Sequence, residues 1–504
     1  MPRFLPLFLT LLLGAGTAVA QPALPFETFQ QFTDSLEAVA AIPDPDEREA
    51  ATDAFWDALV AAEQVPFALG DSVAYLYRGP GTTVRLAGDH NRWNPSAEAA
   101  LAFVGQSDVR WRIHRFPEAA RLEYKLVRDG TWILDPANPH QQWGGFGPNS
   151  ELRMPAWVFP EETVRDPDAP AGAFTPNRTL ASAALGYTVT YRVYTPAGYD
   201  ALTDLPVVYV TDGHEYSDDR LGALRTVLDN LIYEGRAEPV IAVFVDPRVN
   251  GQNRRAEQYV QNPAFAAFVA DELVPAIDAA YRTRPDRDGR VILGTSLGGL
   301  FSAYLGLEHP DVFGKLAIQS PAFWASETPD WTGPSIYDRM QGTEAGLFEV
   351  YMSTGTINDT EDGARRMRGI LAPNQGLVYH EVPESHSWGN WRALLDEVLL
   401  ALVPGQTTDT EDAQGALPPL HFTPYPNPAT DRVTFRFALG APARAGLACY
   451  DVLGRLRARP LASERLPSGD HAVTVAAREL GAAGAYLCRL SVDGRTAARL
   501  VSVL

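Results

Sequence analysis

Cysteine is scarce in this sequence: the 504 residues include only Cys449 and Cys488, both near the C-terminus. No Cys-x-x-Cys motif and no cluster of cysteine with histidine occurs, which argues against a structural zinc site. The two cysteines form a disulfide if their strands are neighbours, and otherwise they are two small buried side chains. We expect no metal ion and no other cofactor.

Positive charge is also in deficit. The chain has 42 Lys and Arg residues against 62 Asp and Glu residues, a formal net charge of −20. Nucleic acid is bound through basic surfaces, so this balance argues against nucleic acid as a partner. Apolar residues make up 46% of the chain, which is ordinary for a globular protein. The length predicts about three domains.

Long hydrophobic runs are missing beyond the N-terminus, so no transmembrane segment is expected. No later segment reaches the roughly 18 uninterrupted apolar residues that a membrane-spanning helix needs. At the N-terminus, Arg3 precedes an apolar run at 4–13 and a small-x-small cleavage sequence, AVA, at 18–20. These features predict a signal peptide over residues 1–20 and a mature chain that begins near Gln21, outside the cytoplasmic membrane.

Periodicity divides the remaining chain into five parts. Residues 21–68 carry apolar side chains at helical spacing and predict a helical preface. Residues 69–158 alternate as short strands joined by tight turns, which predicts a β-sandwich. Strands and helices alternate over 170–403, which indicates an α/β domain with a parallel sheet. A Pro-rich linker at 404–420 precedes a small, separate β-domain at 421–504.

The clearest chemical signal is the G-x-S-x-G motif GTSLG at 294–298. It follows a predicted apolar strand at 290–293 and precedes a predicted helix at 300–307. A nucleophile elbow requires this strand–turn–helix context. Ser296 is therefore the candidate nucleophile, and the backbone N–H of Leu297 is a candidate donor to the developing oxyanion.

The candidate base is His386, which follows a late predicted strand at 377–382. The chain order serine, acid, histidine is typical of this class of site. The acid is expected between the two, where a carboxylate orients the imidazole and stabilises its cation. Asp359 is favoured, and Glu361 and Asp362 stay open as alternatives.

A second oxyanion donor is expected from a loop after an early strand. The segment 211–216 follows a predicted strand at 206–210 and offers the backbone N–H of His214 or of Glu215. An ordinary strand-to-helix turn explains the same residues equally well.

Together these motifs resemble the esterase D and enterochelin-esterase-like family of α/β hydrolases. The matching stretches are VVYVTDGHEY at 207–216, FVADELVPAIDAAYRT at 268–283, RVILGTSLGGLFSAYLGLEHPDVFG at 290–314, QSPAFW at 319–324 and VPESHSWGNWRALLDEVL at 382–399. The resemblance covers about residues 175–403 and implies hydrolysis of carboxylic esters by a serine, without a metal. Arg254, Arg255 and Glu257 fall at an Arg-x-x-Glu-like feature of relatives, where a substrate contact and an ion pair are equal interpretations. Trp388 is a further candidate substrate contact.

The segment 69–158 resembles the early-set, Ig-like module that precedes the catalytic domain in enterochelin esterases and glycogen-acting enzymes. LAGDHNRWNP at 86–95 and EYKLVRDGTWILDPANP at 123–139 carry this match. Such modules bind sugar through exposed aromatic side chains, for which Trp93, Trp132 and Trp143 are the candidates. Packing within or between domains is the alternative.

The last segment, 421–504, resembles the C-terminal sorting domain of type IX secretion. The matching stretches are YPNPATDRVTF at 425–435, YDVLGR at 450–455 and GAYLCRL at 484–490. The resemblance implies the type IX secretion machinery as a partner. It also implies export via the periplasm, followed by release or attachment at the cell surface.

The sequence therefore predicts a secreted serine carboxylesterase with an α/β-hydrolase domain between two β-sandwiches. Its expected substrates are polysaccharide-linked acyl or aryl esters, or siderophore esters, and it forms an acyl-enzyme. An acyltransferase that uses a sugar acceptor is the second interpretation. A carbohydrate-binding protein with an inactive hydrolase domain is the third, and the intact serine, histidine and acidic loop argue against it.

Overall fold

A computed structural model of the chain describes residues 26–329, 332–373, 375–405, 422–427, 429–439, 442–451, 456–481, 484–492 and 495–503. The predicted signal peptide and most of the predicted linker lie outside these residues, so both stay predictions. None of the helices within the described ranges has the length and apolar character needed to cross a membrane.

Two helices open the described chain, α1 (Phe29–Ala40) and α2 (Pro45–Ala61), as the helical spacing predicts. Both begin at a side-chain cap. Thr28 accepts a hydrogen bond from the N–H of Gln31, and Asp44 accepts from the amides two and three residues further on. These caps satisfy backbone donors that have no partner within the helix.

Two antiparallel sheets follow the helices. Their strands are β1 (Phe67–Leu69), β2 (Ser72–Arg78), β3 (Val84–Gly88), β4 (Ala102–Phe103), β5 (Val109–Arg115), β6 (Arg121–Arg128), β7 (Thr131–Ile133), β8 (Gln141–Gly144) and β9 (Gly147–Arg153). One sheet has the order β1-β2-β5-β4, and the other has the order β3-β6-β9-β8 with β7 paired to β6. We call residues 67–153 the N-terminal β-module. Its identification as an early-set, Ig-like domain stays a prediction.

Strand β2 is buried on both faces. Val73, Tyr75 and Tyr77 enter the core shared by the two sheets. Ala74 and Leu76 enter a second core, formed with the N-terminal helices. Because side chains alternate along a strand, one strand can serve two cores. The helical preface therefore covers the outer face of the first sheet.

The central domain, residues 173–402, is built on a larger mixed sheet. Its strands are β10 (Ala173–Phe174), β11 (Arg178–Ala181), β12 (Thr188–Thr195), β13 (Val207–Val210), β14 (Ile241–Asp246), β17 (Arg290–Thr295), β18 (Lys315–Gln319), β19 (Glu349–Gly355) and β20 (Gly376–Val382), and the short strands β15 (Arg248–Val249) and β16 (Gln252–Asn253) form a separate hairpin. The order is β10-β12-β14-β13-β17-β18-β19-β20, with β11 paired to β12. All neighbouring pairs from β14 to β20 along this order are parallel, as the alternating pattern predicts.

Helices cover both faces of this sheet. They are α3 (Gly213–Tyr216), α4 (Leu224–Tyr233), α5 (Arg255–Tyr259), α6 (Pro263–Ala267), α7 (Val274–Ala280), α8 (Leu297–Glu308), α9 (Ile336–Gln341), α10 (Glu361–Leu371), α11 (Trp388–Ala393) and α12 (Leu395–Leu402). Along β13, Val207 and Tyr209 enter one core while Val208 and Val210 enter the other. In such sheets the loops at the carboxyl ends of the strands form the ligand site.

Two helices differ from the sequence prediction. The pattern over 220–234 predicts one helix, but α4 begins only at Leu224 because Ala223 has a left-handed backbone, with φ 51°. The pattern over 263–281 predicts one continuous helix, but a π-helical turn separates α6 from α7. Pro275 lies at the start of α7 and cannot donate a backbone hydrogen bond, so the regular ladder is interrupted there.

The C-terminal part forms two small antiparallel sheets. Its elements are β21 (Phe422–Tyr425), β22 (Arg432–Leu439), β23 (Ala443–Asp451), β24 (Leu456–Leu466), β25 (Gly469–Ala476), α13 (Ala477–Leu480), β26 (Gly484–Val492) and β27 (Arg495–Val503). The orders are β21-β22-β25 and β24-β23-β26-β27, and the sheets share one core. Cys449 and Cys488 are register partners on neighbouring strands and form a disulfide. The assignment to type IX sorting stays a prediction.

Candidate active site

Ser296 lies at the sharp turn between β17 and α8. Its backbone has φ 58° and ψ −119°, a conformation that side-chain-bearing residues seldom adopt. The N–H of Ser296 donates to the carbonyl of Gln319 at 2.9 Å, and its own carbonyl accepts from the N–H of Ala322 at 2.9 Å. Backbone strain of this kind persists only where surrounding contacts fix it, and it concentrates at functional sites.

Two glycines make this turn sterically allowed. A Cβ atom at Gly294 would lie 2.2 Å from the carbonyl oxygen of Gly298. A Cβ atom at Gly298 would lie 2.4 Å from Oγ1 of Thr211. Both distances are far below van der Waals contact, so the glycines of the G-x-S-x-G motif are required by close backbone approach.

Three predicted residues form one hydrogen-bonded chain. Nε2 of His386 lies 2.9 Å from Oγ of Ser296, and Nδ1 lies 2.6 Å from Oδ1 of Asp359. An ionised carboxylate can only accept a hydrogen bond, so Nδ1 of His386 is the protonated ring nitrogen and donates the hydrogen bond to Asp359. Nε2 is then the acceptor for the Ser296 hydroxyl. This arrangement suits proton transfer from the serine to the imidazole.

The structure distinguishes Asp359 from the two other acidic candidates. The carboxylate of Asp359 is fully buried, and its Oδ2 accepts from the N–H of Gly355 and the hydroxyl of Ser320, each at 2.6 Å. The carboxylate of Glu361 instead accepts from the backbone N–H of Asp359 at 3.1 Å. The side chain of Asp362 is fully exposed. Of these three carboxylates, only Asp359 contacts His386.

Glu215, in the predicted oxyanion loop, lines the same cavity as Ser296. The N–H of Glu215 already donates to the carbonyl of Asp212 at 2.9 Å, which favours His214 over Glu215 as the donor. The side chain of His214 lies 3.7 Å from Asp246, and burial lowers its imidazole pKa to about 4. The imidazole is therefore uncharged near neutral pH, and the backbone N–H of His214 stays the candidate donor. The N–H of Leu297 begins α8, where helical amides have no internal partner.

Arg255 joins the oxyanion loop to the elbow. Its Nε donates to Oδ1 of Asp212 at 2.8 Å, and its Nη2 donates to the carbonyl of Thr295 at 2.9 Å. The guanidinium therefore fixes the distance between the two segments that would hold the oxyanion. The sequence places Arg255 in an Arg-x-x-Glu-like feature but does not indicate this bridging contact.

The neighbouring pair Arg254 and Glu257 forms an ion pair at 3.3 Å, and the Arg254 guanidinium lies over the ring of Tyr187 at 4.7 Å. Neither side chain lines the cavity above Ser296. Their predicted role as substrate contacts stays a prediction.

A cavity of about 720 Å³ opens above Ser296 and His386, between the N-terminal β-module and the central domain. Trp388, the predicted substrate contact, lies in its wall. The N-terminal β-module contributes Trp93, Trp132 and the fully exposed Phe146.

The indoles of Trp93 and Trp132 are near-parallel, with ring centroids 6.5 Å apart. Trp143, the third predicted sugar contact, instead lies against the guanidinium of Arg220, 4.4 Å from the ring centroid. Of the three tryptophans, Trp93 and Trp132 line the cavity, and Trp143 does not.

Charged groups also face this cavity. Burial, reinforced by the nearby Glu123 carboxylate, raises the pKa of Asp89 to about 7. Burial and the nearby Asp212 raise the pKa of Glu215 to about 7. Lys125 and Arg255 supply positive charge to the same walls. Near neutral pH, the cavity is therefore less negative than its carboxyl groups suggest.

Within the described part of the chain, no group of three or more His, Cys, Asp or Glu side chains is arranged to hold a metal ion. The expectation that the reaction needs no metal stays a prediction.

Residues 182–402 match the family model described as "Putative esterase". The chain is 31% identical over 269 residues to an iron(III) enterobactin esterase of Dickeya dadantii, and the match covers 50% of this chain and 58% of that protein. It is 28% identical over 296 residues to an endo-1,4-beta-xylanase/feruloyl esterase of Xylanibacter ruminicola, covering 55% of this chain and 38% of that protein. The chain thus spans less than two thirds of the length of either relative.

A crystal structure of the enterobactin esterase from Shigella flexneri has a similar fold. The TM-score is 0.55 at 20% sequence identity, and the match covers 66% of this chain and 92% of that chain. The central domain therefore has an α/β-hydrolase type of fold. With the match to the family model, the comparisons support a carboxylic ester hydrolase.

Proposed function

We propose that this carboxylic ester hydrolase is a serine esterase that works through a triad of Ser296, His386 and Asp359. The observation that carries the proposal is the hydrogen-bonded chain from Asp359 through His386 to Ser296, beneath an open cavity. Nucleophile, base and orienting acid thus lie in contact, in the order that acyl transfer requires.

In the first half-reaction, Oγ of Ser296 attacks the ester carbonyl carbon while Nε2 of His386 takes the hydroxyl proton. The carbonyl electron pair moves onto oxygen, and the backbone N–H groups of Leu297 and His214 stabilise the resulting oxyanion. Each such donor contributes roughly 3–4 kcal/mol to the barrier reduction. The tetrahedral intermediate then collapses, and His386 gives its proton to the departing alcohol.

In the second half-reaction, water attacks the acyl-enzyme. His386 takes a proton from that water and returns one to Oγ of Ser296, so the enzyme is restored and the acid is released. Asp359 holds the imidazole in the required tautomer throughout and stabilises its cationic form.

The proposed substrates are acyl or aryl esters carried on a polysaccharide, or siderophore esters. Support comes from the aromatic walls of the cavity, since Trp93, Trp132 and Phe146 offer flat apolar surface to a planar acyl group or a sugar face. The relatives named as feruloyl esterase and enterobactin esterase both act on esters, as their names state. Transfer of the acyl group to a sugar hydroxyl stays the alternative outcome.

Secretion is part of the same proposal. It is supported by the signal-like residues 1–20 and by the three sorting-like motifs at 425–435, 450–455 and 484–490. We propose a location outside the cell or on its surface, reached via the periplasm and the type IX machinery.

The test compares the mature protein with Ser296→Ala in the hydrolysis of p-nitrophenyl acetate and methyl ferulate. Ser302→Ala is the control, because Ser302 is a buried serine of α8 whose hydroxyl donates to the helix carbonyl of Gly298 at 3.0 Å. We expect turnover to fall about 10⁴-fold or more in Ser296→Ala and little in Ser302→Ala. Unchanged turnover in Ser296→Ala, or none in folded wild type, would reject the proposal.

A further inference from the structure

The N-terminal β-module contacts the two loops that carry His386 and Asp359. The first loop runs from 383 to 387, and the second runs from 356 to 360. The loops are themselves joined, because the N–H of Ile357 donates to the carbonyl of Glu384 at 3.0 Å. A contact that fixes either loop therefore acts on the distance between imidazole and carboxylate.

Arg121, on β6 of the N-terminal β-module, makes the most buried of these contacts. Its guanidinium is about 1% exposed and reaches Glu151 at 2.6 Å, Glu123 at 3.0 Å and Glu384 at 3.2 Å. Of these partners only Glu384 belongs to the His386 loop. Its second carboxylate oxygen accepts from Nε1 of Trp157 at 3.1 Å. Both carboxylate oxygens of Glu384 therefore accept hydrogen bonds from side chains that precede the central domain in the chain.

The guanidinium also lies against the start of α11, the helix that follows His386. A Cβ atom at Gly389 would lie 2.0 Å from the guanidinium carbon of Arg121. The hydroxyl of Ser387, the residue after His386, lies 3.4 Å from Nη1 of Arg121. Arg121 therefore fits into a space that exists only because residue 389 has no side chain.

The Asp359 loop is held by the same module. Nδ2 of Asn358 donates to the carbonyl of Asp89 at 2.8 Å, and Oδ1 of Asn358 accepts from Nε of Arg92 at 3.1 Å. The side chain of Ile357 packs against the core of the N-terminal β-module. Asn358 has φ 55°, so this loop is bent sharply beside the acid.

We propose that Arg121 is a positioning residue of the esterase reaction, which acts through Glu384 to hold the His386 loop at hydrogen-bond distance from Ser296 and Asp359. The proposal rests on the proposed triad. It assigns a role in catalysis, besides any substrate contact, to the part of the chain that precedes the central domain, because both donors to Glu384, Arg121 and Trp157, lie there.

The test uses Glu384→Gln and Trp157→Phe in the full chain. A glutamine has one acceptor oxygen, so it cannot satisfy both Arg121 and Trp157. We expect kcat for p-nitrophenyl acetate to fall about 10- to 100-fold in Glu384→Gln, with a smaller fall in Trp157→Phe and little change in KM. The rate of Ser296 labelling by a fluorophosphonate should fall in parallel, per folded molecule measured by circular dichroism.

Glu151→Gln is the matched control. It removes a carboxylate from the same Arg121 cluster, but Glu151 lies on β9 of the module and not on the His386 loop. We expect kcat within about twofold of wild type even where the melting temperature falls. Equal losses of kcat in Glu151→Gln and Glu384→Gln, or no loss in Glu384→Gln, would overturn the positioning role.

Failure of the triad is separable from failure of this inference. If Ser296→Ala keeps its turnover, the triad is wrong whatever Glu384→Gln does. If Ser296→Ala is inactive and folded Glu384→Gln keeps full kcat, the triad stands and Arg121 is structural only.

Discussion

At the scale of single residues, Asp359 differs from its acidic neighbours in what its carboxylate contacts. It accepts from three donors, including Nδ1 of His386 at 2.6 Å. Asp359→Asn places an amide N–H among these donors and removes the charge that favours the required tautomer. We expect kcat to fall about 10³- to 10⁴-fold.

The controls for this change are Glu361→Gln and Asp362→Asn, which alter charge within three residues of Asp359. Neither carboxylate contacts His386, so both variants should keep kcat within about threefold of wild type. Steady-state kinetics with p-nitrophenyl acetate measure all three. A larger loss in Glu361→Gln than in Asp359→Asn would assign the acid to Glu361.

The cavity carboxyl groups predict a pH-dependent preference for substrate charge. Asp89 and Glu215 have pKa values raised to about 7, so both are mostly protonated near pH 6 and mostly ionised near pH 8. An anionic ester should therefore lose kcat/KM relative to a neutral ester as the pH rises through about 7. The measured quantity is the ratio of kcat/KM for the p-nitrophenyl half-ester of succinate, which is anionic, to kcat/KM for p-nitrophenyl butyrate, which is neutral.

Any pH effect that is common to the two esters cancels in this ratio. Glu215→Gln should flatten the pH dependence of the ratio, because it removes one titrating group from the cavity wall. A ratio that is constant from about pH 6 to about pH 8 in wild type would contradict this picture of the cavity.

At the scale of elements, the elbow between β17 and α8 depends on a close contact with the end of β13. In Gly298→Ala the new methyl group would meet Oγ1 of Thr211 at 2.4 Å. We expect a loss of about 1–3 kcal/mol in the free energy of unfolding, together with reduced kcat. Thr211→Ala removes that oxygen, and the nearest atom of residue 211 to the new methyl group is then its Cβ, at 3.3 Å.

The double variant Thr211→Ala/Gly298→Ala should therefore recover part of the stability and activity lost in Gly298→Ala alone. A coupling free energy of about 1 kcal/mol between the two sites, from urea unfolding, is the expected result. If the two changes in the free energy of unfolding are strictly additive, the contact between residues 211 and 298 does not determine the stability of the elbow.

The same elements show what the sequence can predict. Strand β17, the glycines and Ser296 are consecutive, so a local motif with its flanking periodicity predicts them. The apolar spacing over 263–281 does not predict the interruption of this helix, because that spacing persists through the π-helical turn. The full burial of β2 depends on helices that precede it in the chain, and alternation along one strand does not reveal a second core.

At the scale of the whole molecule, the candidate site lies between two modules. The order of serine, acid and histidine predicts Ser296 and His386 and favours Asp359, because each belongs to a recognisable segment of one domain. Arg121 and Glu384 are 263 residues apart in the chain. A contact over that separation has no local signature, so the sequence does not predict the link between the N-terminal β-module and the His386 loop.

The proposed mechanism requires that Ser296 becomes acylated during turnover, and rapid acid quenching followed by mass spectrometry detects that acyl-enzyme. With p-nitrophenyl acetate, we expect one acetyl group per chain, on the peptide that carries Ser296, and none in Ser296→Ala. An acetyl group on another residue that turns over at the catalytic rate, or steady turnover with no trapped acyl-enzyme, would reject Ser296 as the nucleophile.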